Sequence, residues 1–246
     1  MEVQDTVANY TSDFSFSIDG VSSNTLGVFV DTLEPVPHAQ QRYTTGLTRK
    51  PYAIPDEVYN EISYSIAFYK FFPSDMDDKE IRKFLSKGSV LQLSNLPTVY
   101  FNILTMSCEV SQRADNRRID YVLTFTLEPY RYGLSNPWIN ISSGATVANA
   151  GNITSYPLIE LTDPDGDIVL TVNDIDYELK GLTASETETP NKVYIDRERF
   201  IIYDQNNMLM IGKDDGKMPE LIVGNNSISW TGDITAVRLK TNWREI

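Results

Sequence analysis

Few residues in this chain have the chemistry for covalent or acid–base work. Among 246 residues there is a single histidine, His38, and a single cysteine, Cys108. His38 stands between Pro37 and Ala39 in a Pro-rich segment. A catalytic triad would need a nucleophile and a carboxylate brought to it from elsewhere in the chain, and no G-x-S-x-G elbow occurs. Cys108 falls inside an alternating stretch, where a free cysteine ordinarily acts as a small buried hydrophobe. A lone cysteine forms no internal disulfide, and one Cys with one His does not make an ordinary structural zinc site.

The acidic residues carry no clearer chemistry. Asp163-Pro164-Asp165-Gly166-Asp167 has the look of a calcium loop, but an EF-hand places its glycine one position after the third acidic ligand. Here Gly166 precedes Asp167, and a Pro-Asp-Gly turn between strands accounts for the residues. Asp214-Asp215-Gly216 reads the same way. Among 34 Asp and Glu no carboxylate pair of the kind a glycosidase uses stands on a recognisable scaffold. Neither G-x-G-x-x-G nor G-x-x-x-x-G-K-[ST] is present, so nucleotide binding has no support. The expectation is no catalytic residue, no cofactor and no metal.

Charge bounds the partners. Lys and Arg number 21 against the 34 acids, a formal net of −13, which opposes affinity for phosphate backbones, so no nucleic-acid site is expected. The acidity is spread: 12 basic and 17 acidic residues in 1–135, 9 and 17 in 136–246. No run approaches the ~18 apolar residues of a membrane span, and the first twenty residues lack a signal peptide's basic start and apolar core. The expectation is a soluble chain made in the cytoplasm, without membrane insertion.

The elements are mostly strands. Aromatic residues make up 11% of the chain, with 14 Tyr and 10 Phe, favouring sheet. Phe14, Phe16 and Ile18 alternate with polar residues before an Asp19-Gly20 turn, and Leu26–Val30 is a second strand. Residues 31–56 carry Pro35, Pro37, Gly46, Pro51 and Pro55 and read as a long loop or extended arm. Period two returns with Ile62, Tyr64, Ile66 and Phe68 on one face. One helix follows, opened by Pro73-Ser74-Asp75, with acids early, Arg82, Lys83 and Lys87 late, and an apolar stripe of Ile81, Phe84 and Leu85. Two further alternating strands, VYFNILTMSCEV and IDYVLTFTLEPYRY, flank a polar tip at 112–118.

Near Tyr132 the texture changes to Asn, Ser, Gly and Ala, as in a linker. Beyond Tyr156-Pro157 come short strands at turn-sized intervals: LIELT, DIVLTV, the pair KVYID and RFIIYD, NMLMIG, and a terminal hairpin in which Ile228 and Trp230, then Val237 and Leu239, alternate about Gly232-Asp233. That spacing predicts an antiparallel sandwich.

In this order the features resemble one family, the distal tail proteins, or Dit, of phages with long non-contractile tails. The resemblance rests on FSFSIDGVSSNTLGVFV, DKEIRKFLSKGSVLQLSNLPTVYFNI, YPLIELTDPDGDIVLTVND and NNSISWTGDITAVRLKTNWREI, and covers nearly the whole chain. It implies a mainly β chain: an N-terminal ring-forming domain with one helix over 1–135, a linker over 136–155, and a C-terminal galectin-like β-sandwich over 156–246. It further implies a virion protein at the distal end of a phage tail, a homo-oligomer forming a hexameric ring. Its partners would be the tail tube, the tip or baseplate and receptor-binding proteins.

The aromatic-rich strands are the candidate oligomer interface, with Tyr64, Phe68, Phe71, Phe72, Tyr130 and Tyr132 as its residues, because aromatics there exceed what a small core needs. The alternative for each of them is that it fills that core. The alternative for the whole chain is a carbohydrate-binding module contacting the host envelope. Against it, the second half has no histidine, and Trp230 is followed by Thr-Gly-Asp-Ile rather than by the Glu-x-Arg of galactoside-binding galectins.

Overall fold

A β-strand turns successive side chains to opposite faces, so the ten-residue stretch ISYSIAFYKF can bury every second residue and leave the others in water. In the computed structural model of the chain, which describes residues 13–45, 51–53, 59–71, 78–112, 118–182 and 190–246, it does so almost without exception. The chain divides into two compact units, Met1–Leu134 and Ser135–Ile246.

The strands of the first unit are β1 (Phe16–Ile18), β2 (Val21–Ser22), β3 (Phe29–Val30), β4 (Tyr43–Thr45), β5 (Pro51–Ala53), β6 (Ile62–Phe71), β7 (Val90–Leu93), β8 (Val99–Gln112) and β9 (Arg118–Gly133). Helix α1 (Asp78–Phe84) lies between β6 and β7 in sequence. The main sheet runs β2-β1-β7-β8-β9-β6-β3, antiparallel at every one of these pairings. Asp19 and Gly20, at φ 49° and 80°, make the two-residue turn that sets Ile18 opposite Val21. The Asp19 carboxylate then accepts from the backbone N–H groups of Ser89 and Val90, tying this turn to the start of β7.

One face of the sheet carries the core: Phe16, Ile66, Phe68, Leu91, Phe101, Leu123, Phe125 and Leu127, with Ile81, Phe84 and Leu85 of the helical stripe packed against it. Phe84 reaches Phe16 at 5.7 Å between ring centroids. After the helix the chain passes so close to β1 that a Cβ on Gly88 would stand 2.1 Å from Ile18 Cγ2, so only glycine fits. The predicted helix opening at Pro73–Asp77 lies outside the described residues, as do Phe72 and most of the predicted tip at 112–118.

The Pro-rich segment 31–56 is only partly the arm it was expected to be. Leu33 is buried, the Glu34 carbonyl accepts from the Tyr64 hydroxyl at 2.9 Å, and Gln41 bridges to Tyr59. Within it β4 and β5 pair as a small two-stranded sheet. Proline excludes regular sheet interiors, but it does not stop a segment from being pinned by its neighbours' polar groups.

The second unit contains β10 (Ile139–Ile141), β11 (Ala145–Asn149), β12 (Leu158–Thr162), β13 (Asp165–Val172), β14 (Ile175–Leu182), β15 (Lys192–Asp196), β16 (Ile201–Asp204), β17 (Gly224–Asp233) and β18 (Ala236–Lys240). They form a five-stranded sheet, β10-β18-β12-β15-β16, and a four-stranded sheet, β11-β17-β13-β14. Both sheets contribute to one core that includes Val147, Leu161, Leu170, Ile195, Ile228 and Leu239. The unit is a β-sandwich.

Two expectations are corrected here. Residues 136–155 are not a free linker, because β10 pairs with β18 and β11 with β17. Their asparagines tie the fold together: buried Asn149 donates through Nδ2 to the Ile153 and Leu221 carbonyls, and its Oδ1 accepts from Gly151 N–H. The terminal segment is not a hairpin either. β17 is central in one sheet and β18 in the other. Gly232, at φ 103° and placed where a Cβ would stand 2.6 Å from the Asp167 carbonyl oxygen, marks where the chain leaves one sheet for the other rather than a turn within a sheet.

The predicted strand NMLMIG is a flanking segment. Its backbone bonds to β16 through Met210 N–H to the Ile202 carbonyl at 2.9 Å and Asp204 N–H to the Met208 carbonyl at 3.0 Å. Further on, Lys180 N–H reaches the Lys213 carbonyl on β14's side, so residues 208–214 touch the edge strand of each sheet and cover edges that would otherwise invite another chain.

Candidate interaction surfaces

The residues singled out for chemistry are dispersed. His38 is exposed in the segment after β3. Cys108 is half-buried on β8 beside the first core, and burial, reinforced by the Glu109 carboxylate, pushes its thiol pKa up, the opposite of a reactive thiolate. The Asp163 carboxylate accepts from Asn191 N–H at 2.7 Å and that of Asp167 from Gly181 N–H at 2.8 Å, so both hold loop backbone. Asp215 accepts from Lys217 N–H in the same manner. Among the described residues, no three or more His, Cys, Asp or Glu side chains gather to hold a metal.

The six aromatic candidates separate by burial. Tyr64 and Phe68 are 4% and 3% exposed. Phe68 stacks on Tyr121 at 5.1 Å, and burial followed by the Glu34 charge pushes the Tyr64 hydroxyl up to about 12. They face inward with the period of β6 and offer no surface to a partner. Tyr132 is buried as well, stacking on Tyr100 and donating its hydroxyl to Glu128 Oε2 at 2.6 Å. Phe71 and Tyr130 remain at the surface. Phe71 is half exposed against Phe29 and Tyr69, and Tyr130 meets Tyr59 and Tyr132 edge-on. Phe72 lies outside the described residues.

A second surface was missed in the sequence. Across the five-stranded sheet of the second unit one outward row runs through every strand: Asn140 opposite Arg238, Arg238 opposite Glu160, Glu160 opposite Tyr194, and Tyr194 opposite Tyr203. At its centre Glu160 is 1% exposed, although it points away from the core. The Arg238 guanidinium covers it with a bidentate pair, Nε to Oε1 at 2.8 Å and Nη2 to Oε2 at 2.7 Å, and Lys192 Nζ stands 3.1 Å from Oε1.

Burial alone would raise the Glu160 carboxyl. Bonds from Arg238, Lys192 and Tyr194, with the Arg238 charge, outweigh burial and leave the pKa below its ordinary value. Beside the row, the Trp138 ring lies under the Arg238 guanidinium at 4.7 Å and Lys240 Nζ at 5.2 Å, while Tyr194 and Tyr203 stack at 5.1 Å. The available signal was Glu160 itself, an acid set between Ile159 and Leu161 in the middle of a strand.

These units define a mainly β protein. The same fold is found in the crystal structure of SPP1 Dit (gp 19.1), described as a paradigm of the hub adsorption apparatus in Gram-positive-infecting phages. The likeness has a TM-score of 0.61 at 12% identity and covers 95% of this chain and 99% of that one. A chain in the phage P2 baseplate, in its activated conformation with Ca, matches with a TM-score of 0.50 at 8% identity, over 92% of this chain and 96% of that one. No protein-family model and no curated protein matches the sequence. At such identities the likeness establishes the fold.

Proposed function

We propose that the chain is a structural subunit of a phage tail, without catalytic activity, made in the host cytoplasm and assembled as a hexameric hub at the distal end. There it joins the tail tube to tip or baseplate and receptor-binding components. The observation that carries this reading is coverage. The match to the SPP1 hub protein takes in both units in order, 95% of this chain against 99% of the other, where a shared sandwich alone would match half. The half-exposed Phe71 and the partly buried Tyr130 of the first unit fit a surface buried between copies, since aromatics are enriched in such interfaces.

Mass photometry of the full chain at micromolar concentration tests the ring. The expected particle is about 167 kDa, six copies of 27.9 kDa, and Phe71→Asp shifts it toward smaller species. A strict monomer, alone and with tail-tube protein added, overturns the reading.

A further inference from the structure

The outward row of the five-stranded sheet holds more donors than its own fold uses. Glu160 engages Arg238 through Nε and Nη2. Arg238 Nη1, the Asn140 amide, the Lys240 ammonium and the Trp138 indole N–H have no acceptor among the described residues. Glu160 is already enclosed, and Asp196, on the same face, is buried and paired with Arg199.

We propose that this row is a docking face for an acidic segment of a partner protein, whose carboxylates are received by Arg238, Lys240 and Asn140 around the Trp138 ring. The proposal rests on the hub reading for the existence of partners, and on three observations of its own. The first is charge: residues 136–246 hold 9 basic and 17 acidic residues, yet Lys192, Arg238 and Lys240 gather on this sheet around Glu160, and the other acid of this face, Asp196, is paired with Arg199, a basic patch on an acidic body. The second is composition, because Trp, Tyr and Arg are the types that dominate binding energy at protein interfaces. The third is preorganisation: the guanidinium fork is fixed by a buried carboxylate before any ligand arrives, which reduces the entropy lost on binding.

A saccharide is the lesser fit. Stacking a sugar needs an open ring face, and here Tyr194 and Tyr203 stack on each other at an interplanar angle of 14° while Trp138 already lies under two cations.

The test is fluorescence anisotropy of a labelled oligo-glutamate peptide titrated with the full chain, beside an oligo-glutamine peptide and an oligogalacturonate. The glutamate peptide is expected to bind and to weaken with added salt, and the glutamine peptide to stay free. Lys240→Glu, which leaves the Glu160 pair intact, weakens binding about tenfold or more. Lys180→Glu on β14 of the other sheet makes the same change in net charge and moves binding by less than about twofold. Equal losses in both variants, no glutamate-peptide binding, or tighter binding of the oligogalacturonate overturns the proposal. Particle mass separates it from the hub reading: a monomer whose peptide binding is still lost in Lys240→Glu sinks the hub and leaves this site standing.

Discussion

The two units solve the same problem, what to place on the outward face of a sheet, in opposite ways. On the main sheet of the first unit, Ser65, Thr124 and Ser107 lie side by side on β6, β9 and β8, with Ser65 Oγ and Thr124 Oγ1 3.0 Å apart. On the second, the outward row is Asn140, Arg238, Glu160, Tyr194 and Tyr203. Small hydroxyls exchange freely with water and ask nothing of one another. A buried carboxylate under a guanidinium does the reverse, because each partner is costly to leave alone. The hydroxyl row is replaceable residue by residue, and the charged row behaves as a unit.

Breaking that unit gives the largest expected effect. Arg238→Ala leaves Glu160 buried with Lys192 and Tyr194 only. Loss of one partner of a buried pair costs ~3–5 kcal/mol, and the third of the Arg238 side chain still in water lowers the expectation to the bottom of that range or just below it, about 2–3 kcal/mol. The double variant Arg238→Met with Glu160→Leu should recover most of the loss, since an apolar replacement of a whole pair is near neutral. Hydrogen exchange of peptides from β12 and β18 in the full chain reads both. A single variant as stable as the double one would mean that the row is no more coupled than the hydroxyl face.

Acid should separate the faces next. The folded Glu160 pKa is depressed, so its contribution is fully present above the ordinary value of 4.5 and is lost as pH falls through the folded value. Exchange in β12 and β18 is therefore expected to accelerate as pH falls below 4.5, after correction for intrinsic rates, beyond that of Glu160→Gln over the same range. Strands β6 and β9, whose outward row at Ser65 and Thr124 has no titrating group, are the internal reference. Parallel pH profiles for wild type and Glu160→Gln would remove the carboxylate from the account.

The period of two was the most legible feature. It placed β6, β8, β9, β12, β13 and β15, because alternation is a local consequence of the pleat, and the stripe of Ile81, Phe84 and Leu85 placed the helix in the same way. What escaped was long-range. Gly232-Asp233 carries the residues of a hairpin turn, and only the pairing of β17 and β18 with different sheets shows that the chain changes layer there. Asn149 has the composition of a linker and the hydrogen bonds of a core. Tyr64 and Phe71 belong to one aromatic strand, yet one is enclosed and the other half exposed. The Arg238–Glu160 pair is 78 residues apart in sequence, so no local pattern could announce it.

The smallest effect is expected on the hydroxyl face. Cross-strand hydroxyl pairs contribute about 0.2–1 kcal/mol relative to alanine, and at an exposed site water replaces a lost partner at once, so Ser65→Ala and Thr124→Ala should each stay within about 0.5 kcal/mol. Their coupling in a double-mutant cycle should be smaller still, because the 3.0 Å contact has either oxygen as donor and neither is buried without it. Exchange of β6 and β9 peptides is the readout, as for the charged row. A coupling above about 1 kcal/mol would show that these hydroxyls are cooperatively ordered, and the contrast between replaceable and unitary faces would then fail in the first unit rather than in the second.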